Sequence, residues 1–193
     1  MRTFLRCLSI VFFSTATSMV QAKTIDLKNQ TDADGSAREI SFCARPSPEK
    51  LNLPGHAFIA FSETKKDGSL HFRAIGHTAY SVGEALLSYT GLIPANGALV
   101  NENYSSVKQE CLTVQVNQRQ YDKSYEIATQ PLKSIGIIFD ENQAIQKSYS
   151  LAAEDCVGFI ITQAKFFGSK LTVPVREPNE LPLNYVRRLI DAN

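Results

Sequence analysis

Apolar positions alternate with polar ones in several stretches of the chain and recur at three- and four-residue spacing in others, which predicts strands and helices respectively. In EISFCAR, Ile40 and Phe42 alternate with Ser41 and Cys43, and in ECLTVQVN, Leu112, Val114 and Val116 alternate with Cys111, Thr113 and Gln115. LNLPGHAFIAFSE reads as a turn at Pro54-Gly55 followed by a strand that His56 opens, with Phe58 and Ala60 on one face and Ala57, Ile59 and Phe61 on the other. After the KKDG turn, LHFRAIGHTAY returns as its hairpin partner. A two-residue loop pairs Lys65 with Gly68 and a three-residue loop pairs it with Ser69, so His56 lies opposite residue 77 or 78. VNQRQYDKSYEIATQ predicts a helix with Tyr121, Tyr125 and Ala128 on one stripe, and NYVRRLIDA a final short helix or turn. SVGEALLSY reads as a short helix whose Leu86, Leu87 and Tyr89 cover the sheet, and GLIPANGALVNEN as a loop with turns at Pro94 and Asn96-Gly97. KSIGIIFDENQAIQ fits either strand or loop. The elements add up to an α+β domain.

The start of the chain changes the setting. Arg2 and Arg6 precede an apolar segment from Leu8 to Phe13, then small and polar residues ending in Val20-Gln21-Ala22. This is the pattern of a secretory signal over residues 1–22, with a single domain over 23–193. The apolar segment falls well short of the roughly 20 residues that a spanning helix needs. The expected location is therefore periplasmic or secreted, with no membrane span after cleavage. Removal of Arg2 and Arg6 leaves 18 basic against 19 acidic residues. That balance, with no basic run, argues against nucleic-acid partners.

Export also gives the cysteines meaning. Without Cys7 the chain keeps Cys43, Cys111 and Cys156, an odd set that suggests one disulfide and one free thiol. Cys43 and Cys111 both sit opposite the apolar side of a half-buried strand, and they can bridge if those strands are near neighbours. The competing reading leaves all three reduced and buried.

Cys156 stands in a helical pattern. Phe159, Ile160, Gln163, Ala164 and Phe167 follow it at helical spacing, and Gly168-Ser169 supplies a stop. With Asp155 as N-cap, Cys156 takes the first helical position, where the dipole and free amides favour a thiolate and an oxyanion. A base must come from His56, His71 or His77. The hairpin brings His77 close to His56, whereas His71 lies roughly 15 to 20 Å along the strand at about 3.3 Å per residue.

The Gly-His that opens a strand, the hairpin after it, the amphipathic VNQRQYDKSYEIATQ segment, YSLAAEDCVGFI and the proline-containing KLTVP…LPLNYVRRL tail resemble the permuted papain-fold (NlpC-like) cysteine hydrolases, which include lecithin retinol acyltransferase-like proteins. The resemblance spans about residues 54–190. It implies a permuted papain-like fold, with an antiparallel sheet packed on helices, Cys156 as nucleophile at a helix N-terminus, and His56 as general base. A third polar residue that orients the histidine is implied on the following strand, with His77 the candidate. The chain departs from the family pattern at Asp155, where Asn is commoner. A carboxylate there opposes a thiolate unless it turns away to cap the helix. The implied chemistry is acyl transfer through a thioester, with no cofactor and no metal, since zinc-like spacings are missing. The partner is then a peptide or acyl substrate of the cell envelope. Cleavage of an amide in cell-wall (peptidoglycan) peptides leads, lipid or acyl hydrolase or acyltransferase chemistry follows, with the apolar TGLIPANGALV loop as a possible cleft lining, and a catalytically inactive envelope-binding module is third.

Overall fold

Strands form where the apolar alternation is strongest, and the central ones bury both faces. The computed structural model describes residues 22–46, 55–79, 83, 95–102, 108–133, 145–149 and 155–193. Strands β1 (Ala22–Asp26), β2 (Ala37–Arg45), β3 (His56–Thr64), β4 (Leu70–Ala79), β5 (Ala95–Asn101), β6 (Glu110–Val116) and β7 (Ile145–Tyr149) are joined by helices α1 (Gln118–Lys133), α2 (Cys156–Lys165) and α3 (Pro182–Asp191). The strands make one sheet in the order β1-β6-β2-β3-β4-β5-β7. The β1–β6 pair is parallel and every other neighbouring pair antiparallel, so the architecture is α+β with a mixed sheet.

All three helices pack on one face. Ile40, Phe42, Ala57, Ile59, Phe61, Leu112 and Val114 from the sheet meet Ala128, Val157, Ile160, Tyr185 and Leu189 from the helices in one core. Burying such a Leu, Ile or Phe side chain contributes about 1.5–3 kcal/mol. The stripe expected on α1 serves this core, with Tyr121 and Tyr125 both edge-on to Phe61. The β3–β4 hairpin takes the three-residue loop: Lys65 N donates to Ser69 O at 2.9 Å, Gly68 has φ +84°, and Phe58 pairs with Gly76.

Two expectations change. Residues 95–101 are not a loop with a turn at Asn96-Gly97 but strand β5, held between β4 and β7, with Gly97 paired to Ala79 and Lys147. Ladder partners on both sides and the burial of Ala98 and Leu99 outweigh a local turn preference. Ala98 and Leu99 are therefore interior, and residues 90–94 of the expected cleft lining lie outside the described residues. Second, the face carrying Cys43 and Cys111 is not open to solvent; with Phe58, Ala60 and Ala74 it forms a second buried cluster.

Of the ambiguous KSIGIIFDENQAIQ stretch, Ile145 and Gln146 begin β7, and 134–144 lie outside the described residues. The expected SVGEALLSY helix lies outside them too, apart from a helical Gly83, as do Pro94 and the leader up to residue 21. Ala22, beside the expected cleavage point, starts β1. Among the described residues no helix is long and apolar enough to cross a membrane.

Candidate functional site

The first turn of α2 is built by Asp155. Its backbone is extended (φ −110°, ψ −168°), as an N-cap requires, and its Oδ1 accepts from Val157 N at 3.1 Å and Gly158 N at 3.0 Å. The Asp155 carbonyl accepts from Phe159 N at 2.9 Å. Cys156 is thereby fixed as the first helical residue, nearly buried, with Val157 and Ile160 anchoring the helix in the core. The carboxylate does cap the helix. Arg176, from the segment between α2 and α3, forks onto it, with Nη1 to Oδ1 at 2.8 Å and Nη2 to Oδ2 at 2.7 Å.

His56 arrives from the start of β3, directly after Gly55, whose φ of +82° turns the chain into the strand. Its Nε2 lies 2.8 Å from Oε1 of Glu102, the residue following β5. Glu102 N donates to Ala74 O at 2.8 Å, which extends the β4–β5 ladder by one residue and aims the carboxylate across β4. Its other oxygen accepts from Arg45 Nη2 at 3.0 Å, and Arg45 is the cross-strand partner of His56 on β2. Gly76 makes this crossing possible, because a Cβ at that position would fall on Glu102 Oε1 and His56 Nε2.

Burial is the largest single influence on the His56 imidazole and works against its charged form. Hydrogen bonds to Cys156 and Glu102, and the charge of both partners, more than offset it and raise the imidazole from 6.5 to about 9. Glu102 is likewise penalised by burial, yet its hydrogen bond to His56 and the charges of His56 and Arg45 hold it below the ordinary carboxylate range. The arrangement links a thiol, an imidazole, a carboxylate and a guanidinium in series. It can hold a proton on His56 next to Cys156 at neutral pH.

Of the residues singled out in the sequence, Cys156, His56 and Asp155 come together here. His77 does not reach the far side of the His56 ring; it lies on the helix side of β4, buried, with its ring edge against Phe159 at 6.4 Å between centroids. The group on His56 Nε2 is Glu102. Alternation explains the difference, because neighbouring residues on β4 face opposite ways and Gly76, not His77, underlies the pair. His71 pairs with Glu63 near the turn, away from the thiol. Cys43 and Cys111 face each other across β2 and β6 at disulfide distance, and Cys156 is the free thiol among the described cysteines.

Glu102, Arg45, Arg176 and Gly76 escaped the sequence reading. A glycine inside an apolar strand is a sign of close approach by other groups, and Gly76 carried that sign. Glu102 and Arg176 carried none, since their partners lie 46 and 21 residues away in the chain.

Among the described residues no group of three His, Cys, Asp or Glu side chains could hold a metal ion. An open groove of about 1100 Å³, lined by Asn29, Asp32, Asn117, Arg119, Lys123 and Phe166 among others, lies at the opposite end of α2, roughly 15 Å from Cys156 at about 1.5 Å per helical residue. Asp32 in its wall already accepts from Gln118 N and Arg38. No protein-family model matches the chain, and neither a curated protein nor a solved structure matches it.

Proposed function

We propose that the chain is an exported cysteine hydrolase of the permuted papain-like kind, which cleaves an amide bond in cell-wall peptides through Cys156, His56 and Glu102. The observation that carries this reading is the His56 imidazole held between the Cys156 side chain and Glu102, with the cysteine at the first position of a capped helix. A filler cysteine needs neither partner. The Cys43–Cys111 pair supports an oxidising compartment.

In this mechanism Nε2 of His56 is committed to Glu102, which leaves Nδ1 for the thiol. The proton passes from Cys156 Sγ to His56, and the thiolate attacks the carbonyl carbon to form a C–S bond. Asp155 already occupies the amides of Val157 and Gly158, and its carbonyl that of Phe159. The Cys156 N–H is the first-turn donor left to hold the oxyanion, together with a neighbouring donor. Collapse of the tetrahedral adduct breaks the C–N bond as His56 gives its proton to the departing amine. Water, deprotonated by His56, then cleaves the thioester and returns the thiol. Glu102 keeps the ring oriented and stabilises its charge, and Arg45 holds Glu102.

The test is release of new amino groups from purified wall stem peptides by the chain from residue 23. Cys156→Ala and His56→Ala are expected to lower it by at least about 10²–10⁴-fold, the range of a positioned acid–base group. Equal release by Cys156→Ala overturns the reading. Release of fatty acid or acyl exchange, in place of amines, would move the substrate to lipids. No turnover, with a Cys156 that alkylates only at high pH regardless of His56, would leave a binding module.

A further inference from the structure

We infer that Arg176 is a positioning residue that makes Asp155 compatible with a reactive Cys156, and that helix α3 holds it in place. The inference rests on the hydrolase reading above. An asparagine caps a helix about as well as an aspartate does. Aspartate adds a full negative charge in the same turn as the thiol, and that charge opposes formation of a thiolate. The Asp155 side chain is 3% exposed, and a carboxylate so buried is costly unless paired. Arg176 meets both requirements, since its planar fork covers both carboxylate oxygens and cancels the charge while the cap bonds to Val157 and Gly158 persist.

The backbone on either side of Arg176 is tied to α3. Tyr185 Oη donates to Pro174 O at 3.1 Å and Arg188 Nη2 donates to Val175 O at 3.1 Å. Glu177 N donates to Glu180 Oε2 at 3.0 Å, and Glu180 in turn accepts from Arg188 Nη1. Tyr185 and Leu189 are fully buried, so these ties end in the core. A segment without helix or strand is thus held at the guanidinium that binds Asp155. Among the described residues, the charged groups gathered around Cys156 are His56 from β3, Glu102 after β5 with Arg45 from β2 behind it, and Asp155 with Arg176. His77 from β4 touches α2 one turn further on, at Phe159.

The experiment is the pH profile of iodoacetamide alkylation at Cys156, read by peptide mass mapping in the chain from residue 23. Arg176→Gln is expected to move the midpoint up by about one pH unit, which slows alkylation at neutral pH about tenfold. Adding Asp155→Asn to Arg176→Gln is expected to restore the wild-type profile, because cap and neutrality return together. If Arg176→Gln alone does not fold, the double variant is compared directly with wild type, and a wild-type profile supports the assignment. A wild-type profile in Arg176→Gln, or a double variant that stays slow, overturns it. A wild-type protein whose profile is indifferent to His56→Ala would instead remove the hydrolase reading, so the two failures are distinct.

Discussion

Strand β2 carries an arginine near each end, and the ion clusters around them differ in what they can do. Arg38, 4% exposed, binds Asp32, Asp34 and Glu63 at 2.6–2.7 Å. Arg45, seven residues on and 30% exposed, binds Glu102, which binds His56. The Arg38 cluster joins β2, the end of β3 and, through Asp32, the first amide of α1. Hydrogen bonds to Asp34 and Asp32 hold the Arg38 guanidinium above its already high ordinary value despite burial. The Arg45 cluster ends instead in an imidazole, His56, raised to about 9 and hydrogen-bonded to the Cys156 thiol. A buried charge network alone is therefore no sign of chemistry; one that ends in an imidazole beside a thiol supports the proposed chemistry.

The largest expected effect breaks the first cluster and leaves the second intact. Arg38→Met leaves the buried Asp32 carboxylate without its guanidinium, while Asp34 and Glu63 can turn to water, and is expected to cost about 3 kcal/mol. Chemical denaturation should show this as a lower midpoint, while His56-dependent alkylation of Cys156 in the folded protein keeps its wild-type pH profile. Loss of that profile at equal foldedness would mean that the two ends of β2 are coupled.

A smaller effect comes from titrating the second cluster. Folding raises His56 from 6.5 to about 9. Its charged form is thus favoured in the folded protein, and the stabilisation is complete below about pH 6.5 and lost as pH climbs through about 9. The contribution is up to about 3 kcal/mol at its fullest. The melting temperature of wild type should fall between pH 7 and 9.5, and Glu102→Gln should flatten that fall. An unchanged slope in Glu102→Gln would mean that the carboxylate does not hold the imidazole.

The same contrast explains what the sequence could disclose. Local periodicity located β2, β3, β4, β6, α1 and α2, left α3 as a short helix or turn, and put Cys156 at a helix start with Asp155 as its cap, because these depend on neighbours within a few residues. The hairpin register likewise followed from turn chemistry, leaving only a choice between two loops. Strand β5 was misread because its burial comes from β4 and β7 on either side, which no local pattern encodes. Glu102 and Arg176 depend on topology for the same reason. His77 drew attention as a histidine near His56, but a one-residue step along a strand reverses the face, and the face decides which group can reach the ring.

Gly76→Ala gives the smallest change in stability and the sharpest separation between scaffold and site. The added methyl would fall on Glu102 Oε1 and His56 Nε2, both at the ends of side chains, so the ring and the carboxylate can swing apart without moving β4. Alanine also lowers the entropic cost that glycine carries in a strand by about 0.5–1 kcal/mol. Against that stands the loss of one charge-assisted hydrogen bond, worth about 1.5–3 kcal/mol. The net expectation is destabilisation of about 1–2 kcal/mol, read as a melting shift of a few degrees. Reactivity should respond far more than stability, because a ring displaced by the width of a methyl no longer spans the gap between Glu102 and Cys156. His56-dependent alkylation should fall toward that of His56→Ala. If Gly76→Ala keeps wild-type alkylation, the close crossing over β4 is a packing detail, and Glu102 loses its claim as the residue that orients the base.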